Sequence, residues 1–220
     1  MLLLTFLSCI VAIAAFLYGA LKLFRKGVPL YFQILVCIAG CSALYELSNI
    51  ITFFCDIYSD ITYFTVGLFA SFGAISFQVC ANVGALNRVV KEGATRKSYL
   101  LALISPAVYI ALHIGLIVMT MPSDPILGVM ISLFMIPGII CCYLNMVHLL
   151  SKPDEMGFLL CIRGCDIWSL IGLFLAVISS LSYYVFDETS IVPYFSELIF
   201  TLGVFALVIA AERGAKAWKI

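Results

Sequence analysis

Ionisable and amide side chains interrupt several of the most apolar stretches of this sequence. One set falls toward the same side of those stretches and comprises Glu46, Asn49, His113 and Glu197. Ionisable groups are expensive to place in lipid or in a protein core, so each is a candidate functional residue. Two carboxyl groups and an imidazole suit proton exchange or the capture of a cationic or polyhydroxylated ligand. The set predicts a substrate-binding or proton-coupling site, with hydrogen-bonded packing residues as the structural alternative.

A second polar set falls toward the opposite side of the apolar stretches and comprises Asn82, Asn145, Arg163 and Asp166. Arg163 and Asp166 are three residues apart, a spacing that allows a pair on one face of a helix. We interpret this set as an inner gate that forms in one conformational state and opens in another. The alternative is hydrogen bonding that only holds helices together, with the Arg163 side chain extended to the membrane interface.

The elements that must position these residues are long and apolar. Of the 220 residues, 64% are hydrophobic and 11% are charged, whereas soluble domains have about 45–50% apolar and about 25% charged residues. A membrane-spanning helix needs roughly 20 apolar residues, and continuous apolar runs argue against the alternating pattern of a β-barrel. The sequence predicts an all-α polytopic membrane protein, a single domain over 1–220, with seven transmembrane helices near 2–23, 29–54, 61–87, 98–120, 126–149, 157–185 and 191–212.

The distribution of basic residues predicts the orientation. All twelve lysines and arginines follow the first, third, fifth or seventh run, or lie just inside the sixth run on the same side. The opposite connections contain acidic residues but no lysine or arginine. Because basic residues favour the cytoplasmic side, we predict a multi-pass protein of the cell membrane with its N-terminus outside and its C-terminus in the cytoplasm.

Part of the sequence repeats. The motif Cys-Ile-x-Gly-Cys occurs at 37–41 and again at 161–165, at the same depth of the second and sixth runs. A pair of glycines with one common spacing recurs in the third and seventh helices, as Gly73 with Gly84 and Gly203 with Gly214. These correspondences predict a parallel duplication, with a first three-helix repeat at 1–92, a linker helix at 98–120 and a second three-helix repeat at 126–220.

In size, topology and repeat order the chain resembles the SWEET and PQ-loop transporters, which have the same three-plus-one-plus-three plan. The resemblance is architectural, since the sequence has no Pro-Gln dipeptide and Pro137 of the fifth run has no counterpart in the first. It implies a small-solute carrier whose binding site lies near the bilayer midplane, between the repeats. Seven-helix retinal proteins share the plan, but the seventh run here has no lysine for a Schiff base.

Motifs for enzymes, metals and cofactors are absent from the sequence. It contains no GxSxG, P-loop, HExxH or Cys-x-x-Cys motif, and no basic block that would suit nucleic acid. We therefore predict a non-enzymatic protein without metal or cofactor that transports a small solute across the lipid bilayer, with proton coupling left open. The alternative is a membrane receptor or sensor that binds a ligand and signals through a separate partner. Assembly into a homo-oligomer is also left open.

Overall fold

The computed structural model describes residues 2–55, 69–70, 73–81, 157–186 and 190–218, together with positions 104, 107, 111, 115, 140 and 143. Throughout these ranges every regular element is an α-helix, and none of the described residues forms a β-strand. The predicted all-α class is therefore confirmed for the part of the chain that the structure describes.

Four long helices are described, and each corresponds to a predicted apolar run. They are α1 (Leu2–Leu23), α2 (Leu30–Cys55), α3 (Gly157–Val185) and α4 (Val192–Trp218). The first three begin and end within one residue of the predicted runs, whereas α4 continues beyond the predicted end at 212. Residues 73–81 are also helical and fall in the predicted third run. Most of that run, and nearly all of the predicted fourth and fifth runs, lie outside the described residues.

Three of these helices are long and apolar enough to cross a membrane, namely α1, the Leu30–Ile51 part of α2, and α4. Large apolar side chains remain exposed along them, such as Leu3 with 80% and Leu30 with 68% of its surface accessible. Exposure of apolar surface to water is unfavourable, whereas contact with lipid is not. The helices therefore indicate a membrane protein.

A short turn joins α1 to α2. Gly27 adopts a φ of 85°, a left-handed conformation that glycine tolerates better than other residues. Pro29 directly precedes Leu30, where α2 begins, and proline is well accommodated at a helix start because its missing N–H has no helical acceptor there. So short a connection makes α1 and α2 antiparallel neighbours.

The contacts between helices define their directions. Phe6 near the start of α1 meets Phe54 near the end of α2, with ring centroids 5.8 Å apart. Tyr18 near the end of α1 bonds to Glu212 near the end of α4, and the carbonyl of Cys161 near the start of α3 faces the end of α4. Thus α1 and α4 run in one direction while α2 and α3 run in the other. This arrangement gathers basic residues at one end of the bundle, the basic end, namely Lys22, Arg25, Lys26, Arg213 and Lys216.

Close helix packing holds the half of the bundle near the basic end together. A methyl group added at Gly19 would lie 2.8 Å from Val208 and 2.9 Å from Val36, and one added at Gly214 would overlap the carbonyl oxygen of Cys161. Small residues allow helix backbones to approach one another, which is the main source of packing energy between helices in lipid. The close approaches therefore fix α4 against α1, α2 and α3.

Candidate functional site

A hydrogen-bonded cluster of acidic, amide and hydroxyl side chains joins α2 to α4, away from the basic end. It comprises Glu46 and Asn49 of α2 with Glu197 and Thr201 of α4, and we call it the carboxyl cluster. Asn49 Nδ2 donates to Glu197 Oε1 over 3.4 Å. The Thr201 hydroxyl lies 3.2 Å from Glu46 Oε1 and 2.9 Å from the carbonyl oxygen of Glu197. Three residues of the predicted outer site thus lie within one cluster.

Helix geometry presents these side chains to one another. Glu46 and Asn49 are three residues apart, and Glu197 and Thr201 are four apart, spacings that keep both members of a pair on one helix face. Because α2 and α4 are antiparallel, Asn49 meets Glu197 while Glu46 meets Thr201 one turn further along. The contact between the Thr201 hydroxyl and the backbone of the preceding turn orients that hydroxyl toward α2.

Both carboxyl groups of the cluster are buried, with 1% of Glu46 and 3% of Glu197 accessible. Within the described part of the chain, Glu46 Oε2 accepts no hydrogen bond. The sequence has no lysine or arginine between 27 and 87 or between 164 and 212, so neither helix carries a basic side chain at this level. Two acids buried side by side resist holding two negative charges. The cluster therefore suits reversible binding of a proton or a cation.

Polar groups from the other two long helices lie near the carboxyl cluster. Cys9 of α1 is buried and lies close enough to Glu46 to interact with its charge. The hydroxyls of Ser182 on α3 and Ser196 on α4 are 2.8 Å apart, and Ser196 is the sequence neighbour of Glu197. Side chains of all four long helices thus contribute polar atoms at or near this site.

A largely apolar crevice of about 60 Å³ lies between the carboxyl cluster and the basic end. Its walls come from α2, α3, α4 and the helical residues 73–81, and its polar side chains include Gln78 and Ser169. Ile38, which lines the crevice, precedes Glu46 by roughly 12 Å at 1.5 Å per residue along α2. The crevice is therefore small and largely apolar, and it is lined by the same two helices that hold the buried acids.

The two described residues of the predicted inner gate lie in different environments. Asp166 of α3 has no accessible surface, whereas Arg163 is exposed. Asp166 lies one helical turn from Ser169, which lines the crevice, on the side toward the basic end. Asp166 therefore lies in the interior and Arg163 at the surface, and their pairing as a gate stays a prediction.

The remaining residues of the predicted sites are His113, Asn82 and Asn145, and they lie outside the described residues. Their roles stay predictions. Thr201 and Ser196 are not among the predicted residues, because hydroxyl side chains are common in apolar helices and mark no site alone. The one signal for Thr201 is its spacing of four residues from Glu197, which puts it on the same helix face.

The second acidic residue of α4, Glu212, has the opposite surroundings. Its carboxylate accepts a hydrogen bond from the Tyr18 hydroxyl of α1, and its Oε1 lies 2.8 Å from Lys216 Nζ. Both neighbours stabilise a negative charge. The pair with Lys216 and the hydrogen bond from Tyr18 give Glu212 a structural explanation.

Among the residues that the structure describes, no group of three or more His, Cys, Asp or Glu side chains is arranged to hold a metal ion. Comparisons with protein-family models, with curated proteins and with solved structures find no match to this chain. Its function is therefore inferred from its own residues.

Proposed function

We propose that this protein is a seven-helix carrier that moves a small solute across the cell membrane, with proton exchange at the carboxyl cluster. The observation that carries the proposal is the pair of buried acids, Glu46 and Glu197, held between α2 and α4 by Asn49 and Thr201. Burial of two acids is unfavourable unless other interactions offset it. Reversible binding of a proton or a polar solute accounts for their presence.

The proposed route follows the interior between α2, α3 and α4. It leads from the carboxyl cluster through the crevice to the buried carboxyl group of Asp166. Polar layers on both sides of an apolar constriction suit alternating access, in which the two layers open in turn. In this proposal the outer acids bind the solute together with His113, and release on the inner side is controlled by Asp166, Asn82, Asn145 and Arg163.

The helix directions support the proposed topology. α1 and α4 run parallel, as the first and last helices of an odd-numbered bundle must. The basic residues of both helices lie at the same end of the bundle. Because basic residues favour the cytoplasmic side, this supports a cytoplasmic C-terminus. In the proposed plan of two repeats, 1–92 and 126–220, α2 belongs to the first and α4 to the second. The carboxyl cluster would then lie between the repeats, where carriers of this kind bind their substrates.

Solute uptake by the full-length protein in sealed proteoliposomes tests this proposal. A panel of cationic and polyhydroxylated solutes should include one whose uptake is saturable and is accelerated by an inward proton gradient. Glu46→Gln keeps the shape of the side chain but removes its acid, and should lower uptake roughly tenfold or more. Glu212→Gln makes the same chemical change at the compensated position and should leave uptake nearly unchanged.

Two outcomes would overturn the carrier proposal. Uptake by Glu46→Gln that equals wild-type uptake would exclude proton exchange at this carboxyl group. Binding of a solute that depends on Glu46, without any transport across the panel, would favour the receptor alternative, in which the cluster binds a ligand and a separate partner transmits the signal.

A further inference from the structure

A cleft at the basic end is not used by the proposed transport. It has a volume of about 190 Å³ and lies between the end of α1, the turn to α2 and the end of α4. Among the residues that the structure describes, three basic side chains line it, Lys22, Arg25 and Lys216, together with one acidic residue, Glu212. Glu212 is already engaged by Tyr18 and Lys216. The lining therefore keeps an excess of positive charge.

The basic side chains of the cleft belong to one lining. Arg25 Nε donates to the carbonyl oxygen of Leu21 over 2.8 Å, which uses only one of the N–H donors of its guanidinium. Lys216 Nζ lies 2.8 Å from Oε1 of Glu212, which lines the same cleft. The Lys216 side chain is 73% exposed, which leaves it accessible to a ligand.

We infer that this cleft binds the phosphate group of an anionic phospholipid. Arginine and lysine are the residues that best complement phosphate oxygens. The inner wall of the cleft is apolar, with Leu23, Val28 and Ala215, and suits the glycerol part of a lipid. Leu21 and Phe24, in the same stretch of α1 and its turn, remain 69% and 47% exposed, so acyl chains find apolar surface at the same level.

The position of the cleft favours a lipid over a soluble phosphate ester. Both α1 and α4 are candidate membrane spans, and the cleft lies where they end, at the depth of the headgroups. Basic pockets between transmembrane helices on the cytoplasmic side bind anionic headgroups, and the cytoplasmic leaflet is enriched in anionic lipids. The inference uses the proposed orientation but does not depend on transport.

Lipid binding by the purified full-length protein in neutral detergent tests the inference, with short-chain phosphatidylglycerol as the probe and microscale thermophoresis as the readout. The double variant Lys22→Gln/Arg25→Gln should bind the probe roughly thirtyfold more weakly, since each basic residue contributes about fivefold near an anionic surface. The matched control is Lys26→Gln/Arg213→Gln, which removes the same charge from exposed positions outside the cleft. It should keep the affinity within about twofold of wild type.

Three results would overturn the inference. If the two double variants lost affinity for phosphatidylglycerol equally, binding would depend only on the overall charge of the protein. Equal affinity of the wild-type protein for phosphatidylglycerol and phosphatidylcholine would exclude recognition of an anionic headgroup, and this comparison needs no variant. Binding of glycerol phosphate as tight as that of phosphatidylglycerol would assign the cleft to soluble phosphate esters. The substituted residues are exposed, so both variants should keep the wild-type helix content by circular dichroism.

Discussion

The carboxyl cluster and the basic end place acidic groups of the same helix in opposite electrostatic settings. Glu212 accepts a hydrogen bond from Tyr18 and pairs with Lys216, and both neighbours favour its negative charge. Glu197 instead meets an amide and lies near a second acid, and both acids are buried. The two positions are roughly 22 Å apart along α4 at 1.5 Å per residue. Glu212 contacts a cation and a phenol, whereas the acids of the carboxyl cluster contact an amide and a hydroxyl group.

The contrast between these regions depends on the helix packing that holds α4 in register, and Gly214→Ala should disturb that packing most. The added methyl group would overlap the carbonyl oxygen of Cys161 and lie 2.7 Å from the Phe32 ring. Overpacking costs about 1–3 kcal/mol. We expect a cost at the upper end of this range, because a backbone atom cannot move away by changing a side-chain rotamer. The fall in Tm in detergent measures this effect.

Gly172→Ala is the control for that substitution. A methyl group at this position of α3 meets nothing within 4 Å among the described residues, and alanine favours the helix. Its Tm should equal or exceed that of wild type. A Gly214→Ala protein as stable as Gly172→Ala would contradict the close contact between α3 and α4.

Glu46→Gln and Glu212→Gln test the difference between the two acids directly, because they should shift stability in opposite directions. Removing the acid at the carboxyl cluster should raise the free energy of unfolding by about 1–2 kcal/mol, since its burial is unfavourable. Removing it at the basic end breaks the pair with Lys216 and weakens the acceptor of the Tyr18 hydroxyl, which should lower the Tm. Stability changes of the same sign in both variants would show that the two acids have similar effects on the folded state.

Thr201→Val tests the hydroxyl that links the two halves of the carboxyl cluster. The substitution conserves volume but removes the contact with Glu46 Oε1. Hydrogen bonds between transmembrane helices contribute about 0.6–1.7 kcal/mol, so unfolding in detergent should become easier by that amount. Thr201→Ser retains the hydroxyl and should remain close to wild type, and equal stability of the two variants would argue against the bridge.

Tyr18→Phe should have the smallest effect, confined to the basic end. It removes the hydrogen bond to Glu212 while the partly exposed pair with Lys216 remains, and such pairs contribute little. We expect a slight fall in Tm and unchanged solute uptake. The fall should be smaller when Tyr18→Phe is made in Glu212→Gln protein, because the amide is a weaker acceptor. An undiminished fall there would show that the hydroxyl acts elsewhere.

The ends of three of the four long helices that the structure describes follow from the amino-acid sequence alone. The predicted runs 2–23, 29–54 and 157–185 match α1, α2 and α3, because a backbone in lipid must satisfy its own hydrogen bonds and an apolar run of this length can do so only as a helix. The buried acids were also evident from the sequence, since a charge inside an apolar run stands out without knowledge of its neighbours.

Which helix faces meet depends on the tertiary structure. The contact between Glu46 and Thr201 joins residues 155 positions apart, and Asp166 is buried whereas Arg163, three residues before it, is exposed. In a soluble protein the apolar face of a helix points to the core. Lipid is as apolar as the interior of a helix bundle, so hydropathy carries little information on which face turns inward, and the packing of small residues such as Gly19 and Gly214 settles it.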